Sequence, residues 1–187
     1  MIVNMIYTIP EGKRLSHEER INELQRLINY DLNYFNHEIR KVDDKYLIIQ
    51  KDAAVSEIVD IVEDSLAKII LEYNHYLLKG DLERKKNILV KIANALEPKR
   101  SEIKGINNQL YKDYFYLINN MDIRHNNCDS SDTSNYNAYF DKLTLKEKEE
   151  WYDEIYQMGL LIFLLLENKE RSTKVANIKN LQSDAKK

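Results

Sequence analysis

The run GLLIFLLL at residues 159–166 constrains the chain more than any other stretch. It is apolar on every side of a helix, so it belongs inside a bundle rather than on its surface. Eight residues are far too few to cross a bilayer, which takes about 20 apolar residues. The helix that carries it starts upstream, where Thr144 and Glu147 have the spacing of a capping box. Trp151, Tyr152, Ile155, Met158, Leu161, Ile162, Leu165 and Leu166 then follow at helical steps. Four glycines and two prolines in 187 residues leave few breakers, so other long helices are available to surround it.

Those helices are legible as apolar stripes. Ser16 and Glu19 repeat the capping-box spacing, and Ile21, Leu24, Ile28, Leu32, Phe35 and Ile39 predict one long helix after them. A second helix is expected over 53–79 along Val55, Ile58, Ile61, Val62, Leu66, Ile69, Tyr73 and Leu77, with Gly80 as its stop. Asp81 is placed to cap a third, facing inward through Leu82, Ile88, Leu89, Ile92 and Leu96 and ending near Pro98. Ser101 opens a fourth, expected to run to about Met121. The expected fold is therefore all-α, a bundle of about five helices spanning residues 1–168 as one domain. Residues 1–9, MIVNMIYTI, read as a short strand or extended arm. Tyr46 to Gln50 reads as its strand partner or as an apolar connector. Residues 169–187 read as a polar tail that frays.

The totals narrow the function classes. Charged residues make up 32% of the chain but nearly balance, with a net charge of -3, which argues against coating duplex DNA by bulk charge. One cysteine permits neither an internal disulfide nor a cysteine-based zinc site, as expected for a cytoplasmic protein. No signal-peptide pattern opens the chain, so no membrane association is expected. Charge is segregated: residues 52–72 hold six acids against one lysine, and residues 79–104 hold eight Lys or Arg against four acids. Within the latter, Lys85, Lys86, Lys91, Lys99 and Arg100 form the best basic patch, to be weighed against an ordinary solvated face. Most of the 13 tyrosines are expected in the core with their hydroxyls at its rim.

Chemistry concentrates in the polar loop at residues 119–135, NNMDIRHNNCDSSDTSN. Asn, Asp and Ser favour turns by hydrogen-bonding nearby backbone, and loops held by rigid scaffolds tend to carry function. No nucleophile elbow, phosphate-binding glycine loop or HExxH motif occurs anywhere in the chain. Asp129 and Asp132 lack the glycine and terminal glutamate of a calcium loop, so no metal site and no cofactor are expected. What remains is the adjacent pair Arg124 and His125. An arginine brings a fixed cationic fork and a histidine exchanges protons near neutral pH. The plain alternatives are that the pair caps the preceding helix, or that Arg124 is an internal pin salt-bridged to an acid such as Asp122 or Asp153.

A helical bundle with an Arg-polar pair at a helix-loop junction resembles the HEPN superfamily. IRHNN at residues 123–127 looks like the Arg-centred motif of its abortive-infection and toxin branch. The resemblance covers the layout of residues 53–168, and only those five residues are specific. It implies a cytoplasmic, all-α, usually dimeric protein of a prokaryotic conflict system, often a metal-independent RNase. Active members carry a second motif histidine, and Asp129, Ser130 and Ser131 stand where it would fall. His125 would then exchange protons with the ribose and the leaving oxygen, and Arg124 would offset phosphoryl charge. Asn126 and Asn127 would orient the RNA, Asp122 would fix the His125 tautomer, and Lys85, Lys86 and Arg100 would hold the strand. The alternative is a non-catalytic module that binds a nucleotide, RNA or a protein.

Overall fold

Ser16 begins the first helix as its spacing predicts: its hydroxyl accepts from the Glu19 N–H, and the Glu19 carboxylate accepts from the Ser16 N–H. The computed structural model describes residues 16–184, so the arm expected at residues 1–9 lies outside them. Helix α1 (His17–Tyr34) ends sooner than the apolar stripe suggests. Asn36 adopts a positive φ of 57°, a left-handed conformation that Asn tolerates and a helix cannot continue through.

Ile39 therefore sits in a strand. Strands β1 (His37–Val42) and β2 (Lys45–Gln50) form an antiparallel hairpin in which Ile39 opposes Ile48 and Val42 opposes Lys45. The two-residue turn between them places Asp43 at φ 53°. Tyr46 to Gln50 is thus a strand, and its partner among the described residues is β1. Ile49 is buried, and the Gln50 N–H donates to the Asn74 carbonyl, which ties the hairpin to the helical body.

Among the described residues, seven helices of seven residues or more, a four-residue helical turn at Ala138–Asp141 and this hairpin stand in place of the all-α bundle of about five, because two of the expected helices are broken. The segment after Asp52 divides into α2 (Ala53–Val59) and α3 (Asp64–Tyr73), followed by a 3-10 turn at Tyr76–Leu78. The break resets the helical register. Val55 and Ile58 are buried before it, and Ile70, Leu71 and Tyr73 after it, while Ile61 and Leu77 from the expected stripe are exposed. Gly80 stops this region at φ 82°, and the Asp81 carboxylate caps α4 (Leu82–Leu96) at Arg84 N–H. A 3-10 turn at Glu97–Lys99 leads into α5 (Arg100–Ile106). Asn107 then caps α6 (Asn108–Asn120) by accepting from Leu110 N–H at 3.0 Å. Asn is a strong N-cap and Gly105 weakens the helix just before it, so one expected helix becomes two.

The 40-residue α7 (Leu145–Asp184) is the axis on which α2, α4, α5 and α6 pack. Its Thr144–Glu147 capping box is formed. Tyr152, Ile155, Tyr156, Leu160 and Ile162 enter the core with Ile88, Leu89, Ile92 and Leu96 of α4. Gly159 lies close against α4 and α6: a Cβ there would lie 3.3 Å from Ile92 Cγ2 and 3.5 Å from the Tyr114 hydroxyl. The apolar run is not enclosed on all sides, since Leu161 is 46% exposed and residues 163–166 are half-buried. Beyond it, the stretch expected as a polar tail continues as helix through Asp184. Residues 168–183 are all exposed. Among the described residues no helix is long and apolar enough to cross a membrane.

Candidate functional site

The chain leaves α6 through Met121 and Ile123, both buried, with Asp122 between them at φ 54°. This fold-back returns the backbone onto the end of α6: Arg124 N–H donates to the Ile118 carbonyl and Asn126 N–H to the Asn119 carbonyl, each at 3.1 Å. Asparagines and aspartates then shape the loop as their chemistry suggests. Asn127 Nδ2 donates to Asp132 Oδ2 at 2.8 Å, and Asn127 Oδ1 accepts from the Asp129 N–H. Asn126 donates to the Asn120 side chain. The two asparagines expected to orient RNA are therefore engaged in building the loop. Ser131 bonds hold the Asp129 carboxyl below its ordinary range, and Asn135 with Asn127 does the same for Asp132. Among the described residues no group of three His, Cys, Asp or Glu side chains is arranged to hold a metal ion.

Arg124 is held by its own chain. One guanidinium nitrogen lies 2.6 Å from Glu97 Oε2, and another donates to Asn94 Oδ1. Of the alternatives for this residue, the internal pin is the one realised, with Glu97 as the acid in place of Asp122 or Asp153. The same carboxylate presents its other oxygen to Arg100 at 2.7 Å. Arg100 also donates to the Tyr111 hydroxyl and lies over the Phe115 ring at 4.4 Å. One carboxylate thus joins two guanidinium groups. Hydrogen bonds from Arg124 and then Arg100 hold the Glu97 carboxyl below its usual range, so it stays ionised. The triad carries one net positive charge, and it reaches the surface: the Arg124 side chain keeps 19% of its exposure and Arg100 keeps 39%. His125 beside it is exposed and makes no hydrogen bond to the described residues.

The remaining predicted residues separate. Asp122 does not orient His125; its carboxylate pairs with Lys86 at 3.0 Å. Lys85 is no part of a basic face. It is 5% exposed, and its ammonium bonds Asp153 at 2.6 Å and Glu149 at 2.8 Å. Of the expected patch, Arg100 alone shares a carboxylate with Arg124, while Lys99 lies 3.8 Å from Glu102.

Lys85 opens instead onto a cleft of about 650 Å³ whose lining includes His37, Asp52, His75 and Asp153. That size is typical of small-molecule sites. Tyr73 donates to the Asp153 oxygen that Lys85 also bonds, and it stacks on Tyr156 at 3.9 Å. Burial, then the neighbouring Arg84, pulls His75 below its ordinary value. Its Nδ1 accepts from Leu77 N–H, which leaves the proton on Nε2. His37 is the opposite tautomer when neutral, because its Nδ1 faces the Phe35 carbonyl at 2.7 Å and must donate. Sequence reading missed this cleft, since residues 37–157 contribute to it with no local spacing to betray them.

Beneath the triad lies a buried polar atom with no partner among the described residues, the hydroxyl of Tyr114. Burial raises its pKa well above the ordinary range. A buried donor without a bond costs about 1–3 kcal/mol, so Tyr114→Phe is expected to raise stability by about 1 kcal/mol. Urea unfolding with an unchanged slope would measure it. A loss of stability would mean that the hydroxyl is bonded.

Comparison of the chain with protein-family models, with curated proteins and with solved structures finds no match in any of the three. The fold and the site therefore define the class by themselves: a mostly helical protein with a surface-reaching Arg–Glu–Arg triad at the end of α6.

Proposed function

We propose that this chain is a HEPN-like RNA-binding protein of a prokaryotic conflict or abortive-infection system, and that it meets the RNA backbone at Arg124 and His125. The observation that carries this reading is the single Glu97 carboxylate shared by Arg124 and Arg100. It holds both forks in place at the surface while cancelling only one of their two charges. Preorganised donors of that kind suit a phosphate, because little side-chain freedom is lost when the ligand arrives. Exposed His125 adds the proton-exchanging group. In the catalytic form of this reading, His125 removes the ribose 2'-hydroxyl proton and that oxygen attacks the adjacent phosphorus. The 5'-oxygen then leaves with a proton, giving a 2',3'-cyclic phosphate. Arg124 offsets charge on the phosphoryl oxygens throughout.

One observation favours the non-catalytic module. Arg124 already spends donors on Glu97 and Asn94, which leaves it fewer for a transition state. Fluorescence anisotropy with labelled single-stranded RNA, alongside incubation of mixed RNA in chelator, separates the two. The wild type is expected to bind, and Arg124→Ala to weaken binding about tenfold, which corresponds to about 1.4 kcal/mol. His125→Ala should retain binding and lose any cleavage. Binding without cleavage in the wild type selects the module. If RNA stays intact and Arg124→Ala binds it as the wild type does, both forms fail.

A further inference from the structure

The cleft of about 650 Å³ beside Lys85 is lined by ammonium groups and carboxylates together, and no member of the Arg124 triad borders it. Three lysines, Lys79, Lys85 and Lys146, meet the four carboxylates of Asp52, Glu149, Glu150 and Asp153. That balance opposes a polyanion such as RNA. So many charged groups also oppose an apolar ligand, which would bury them without partners. A small molecule that carries both signs of charge suits the lining.

The charges are sorted along the cleft. Buried Lys85 bonds Glu149 at 2.8 Å, and Lys146 lies 3.6 Å from Glu150. Counting those two pairs as neutral leaves Lys79 at one end, where it forms no salt bridge with the described residues. The next residue, Gly80, donates its N–H to Glu149 at 2.7 Å, which places Lys79 at the level of Glu149. Asp153 and Asp52 are left at the other end. Asp153 spends one oxygen on both Lys85 and Tyr73, and its second oxygen makes no hydrogen bond to the described residues. Asp52 is located by Gln157, whose side-chain amide donates to its Oδ2 at 3.3 Å. Asp153 and Gln157 follow Glu149 by about one and two turns of α7, or roughly 6 and 12 Å. The cleft therefore has a cationic end and an anionic end.

An oligopeptide with both termini free has the matching polarity. Three extended residues span about 10 Å, enough to carry a carboxylate to Lys79 and an ammonium to the space between Asp153 and Asp52. A single α-amino acid holds both charges on one carbon and cannot reach both ends. An ammonium between two carboxylates makes charge-assisted hydrogen bonds, the stronger kind. We propose that this cleft binds a short peptide of about three residues, its free amino terminus held by Asp153 and Asp52 and its free carboxyl terminus by Lys79.

Isothermal titration of the full chain with trialanine tests this. Trialanine is expected to bind saturably at one site, and N-acetyl-trialanine and trialanine amide each about tenfold more weakly, which corresponds to about 1.4 kcal/mol. Two variants assign the ends. Lys79 is exposed and forms no salt bridge, and asparagine caps a helix as well as aspartate does, so Lys79→Ala and Asp52→Asn should keep the fold. Lys79→Ala should weaken trialanine several-fold and leave trialanine amide unchanged. Asp52→Asn should weaken trialanine and leave the acetylated form unchanged. Each variant is thus invisible to the ligand that lacks the charge it would have met. The absence of saturable binding by trialanine overturns the proposal, as does equal affinity for free and blocked termini. Variants that weaken free and blocked peptides alike overturn it too, because a merely structural role would do that.

Discussion

Replacing Lys85 by alanine is expected to cost about 2–4 kcal/mol of stability, a loss that chemical denaturation would read as a lower midpoint at constant slope. The ammonium is almost fully enclosed, yet it bonds two carboxylates, Asp153 and Glu149, and lies 5.2 Å from the Tyr73 ring centroid. Removing one partner of such a cluster leaves the others desolvated and unbalanced, which costs more than the cluster contributed. The half-exposed Asp153 can regain water, so the estimate sits at the low end of the range for buried pairs. Lys85→Met should lose less, because the packed aliphatic stem is retained. The pH dependence follows from Glu149. Burial alone would raise its carboxyl; the Lys85 and Gly80 bonds outweigh that and hold it below 4.5. A depressed carboxyl stabilises the fold above its unfolded value and loses that contribution as pH falls through the folded one. The gap between wild type and Lys85→Ala should therefore be widest above about pH 5 and narrow in acid. Equal gaps at pH 7 and pH 3 would show that Lys85 acts through packing alone.

Lys85 also shows what a sequence conceals. It sits in the most basic stretch of the chain, where spacing suggests a cationic face, and nothing nearby announces Glu149 and Asp153 more than 60 residues on. Local signals were reliable where both partners lie within one turn. The two capping boxes, the Asp81 cap and the positive φ at Gly80 could all be read from neighbouring residues. The hairpin escaped because Asp43–Asp44 is a weaker turn signal than Asn-Gly or Asp-Gly, and because Ile39 continues the helical period of α1. The breaks before α3 and α6 escaped because no proline marks them; before α6 the local signal was Gly105 followed by the cap Asn107, which is weaker punctuation than a proline. At the candidate site, Arg124 and His125 were legible by composition. The acid that holds Arg124 was not, since Glu97 precedes it by 27 residues, in a turn next to Pro98.

Glu97 is also where the pin and the phosphate site make opposite forecasts. Glu97→Gln keeps the side chain's shape and removes the charge shared by Arg124 and Arg100. Two adjacent guanidinium groups then repel each other with only neutral acceptors between them. Stability is expected to fall by about 1 kcal/mol or less near neutral pH, a modest figure because the pair is partly open to water. In the wild type the depressed Glu97 carboxyl stabilises the fold above about 4.5, its ordinary value, and ceases to do so as pH drops below its folded value. That share of the acid sensitivity should be missing in Glu97→Gln, so the two stability curves converge as pH falls below the folded value of the Glu97 carboxyl. RNA affinity is expected to move the other way. Two unbalanced forks at one surface attract a phosphate more strongly, so binding should tighten several-fold at low salt and lose that gain as salt rises. If Arg124 were only a pin, Glu97→Gln would loosen the loop, and RNA binding would stay unchanged or weaken. A variant that is less stable yet binds RNA more tightly is the combination that only a phosphate-facing triad produces.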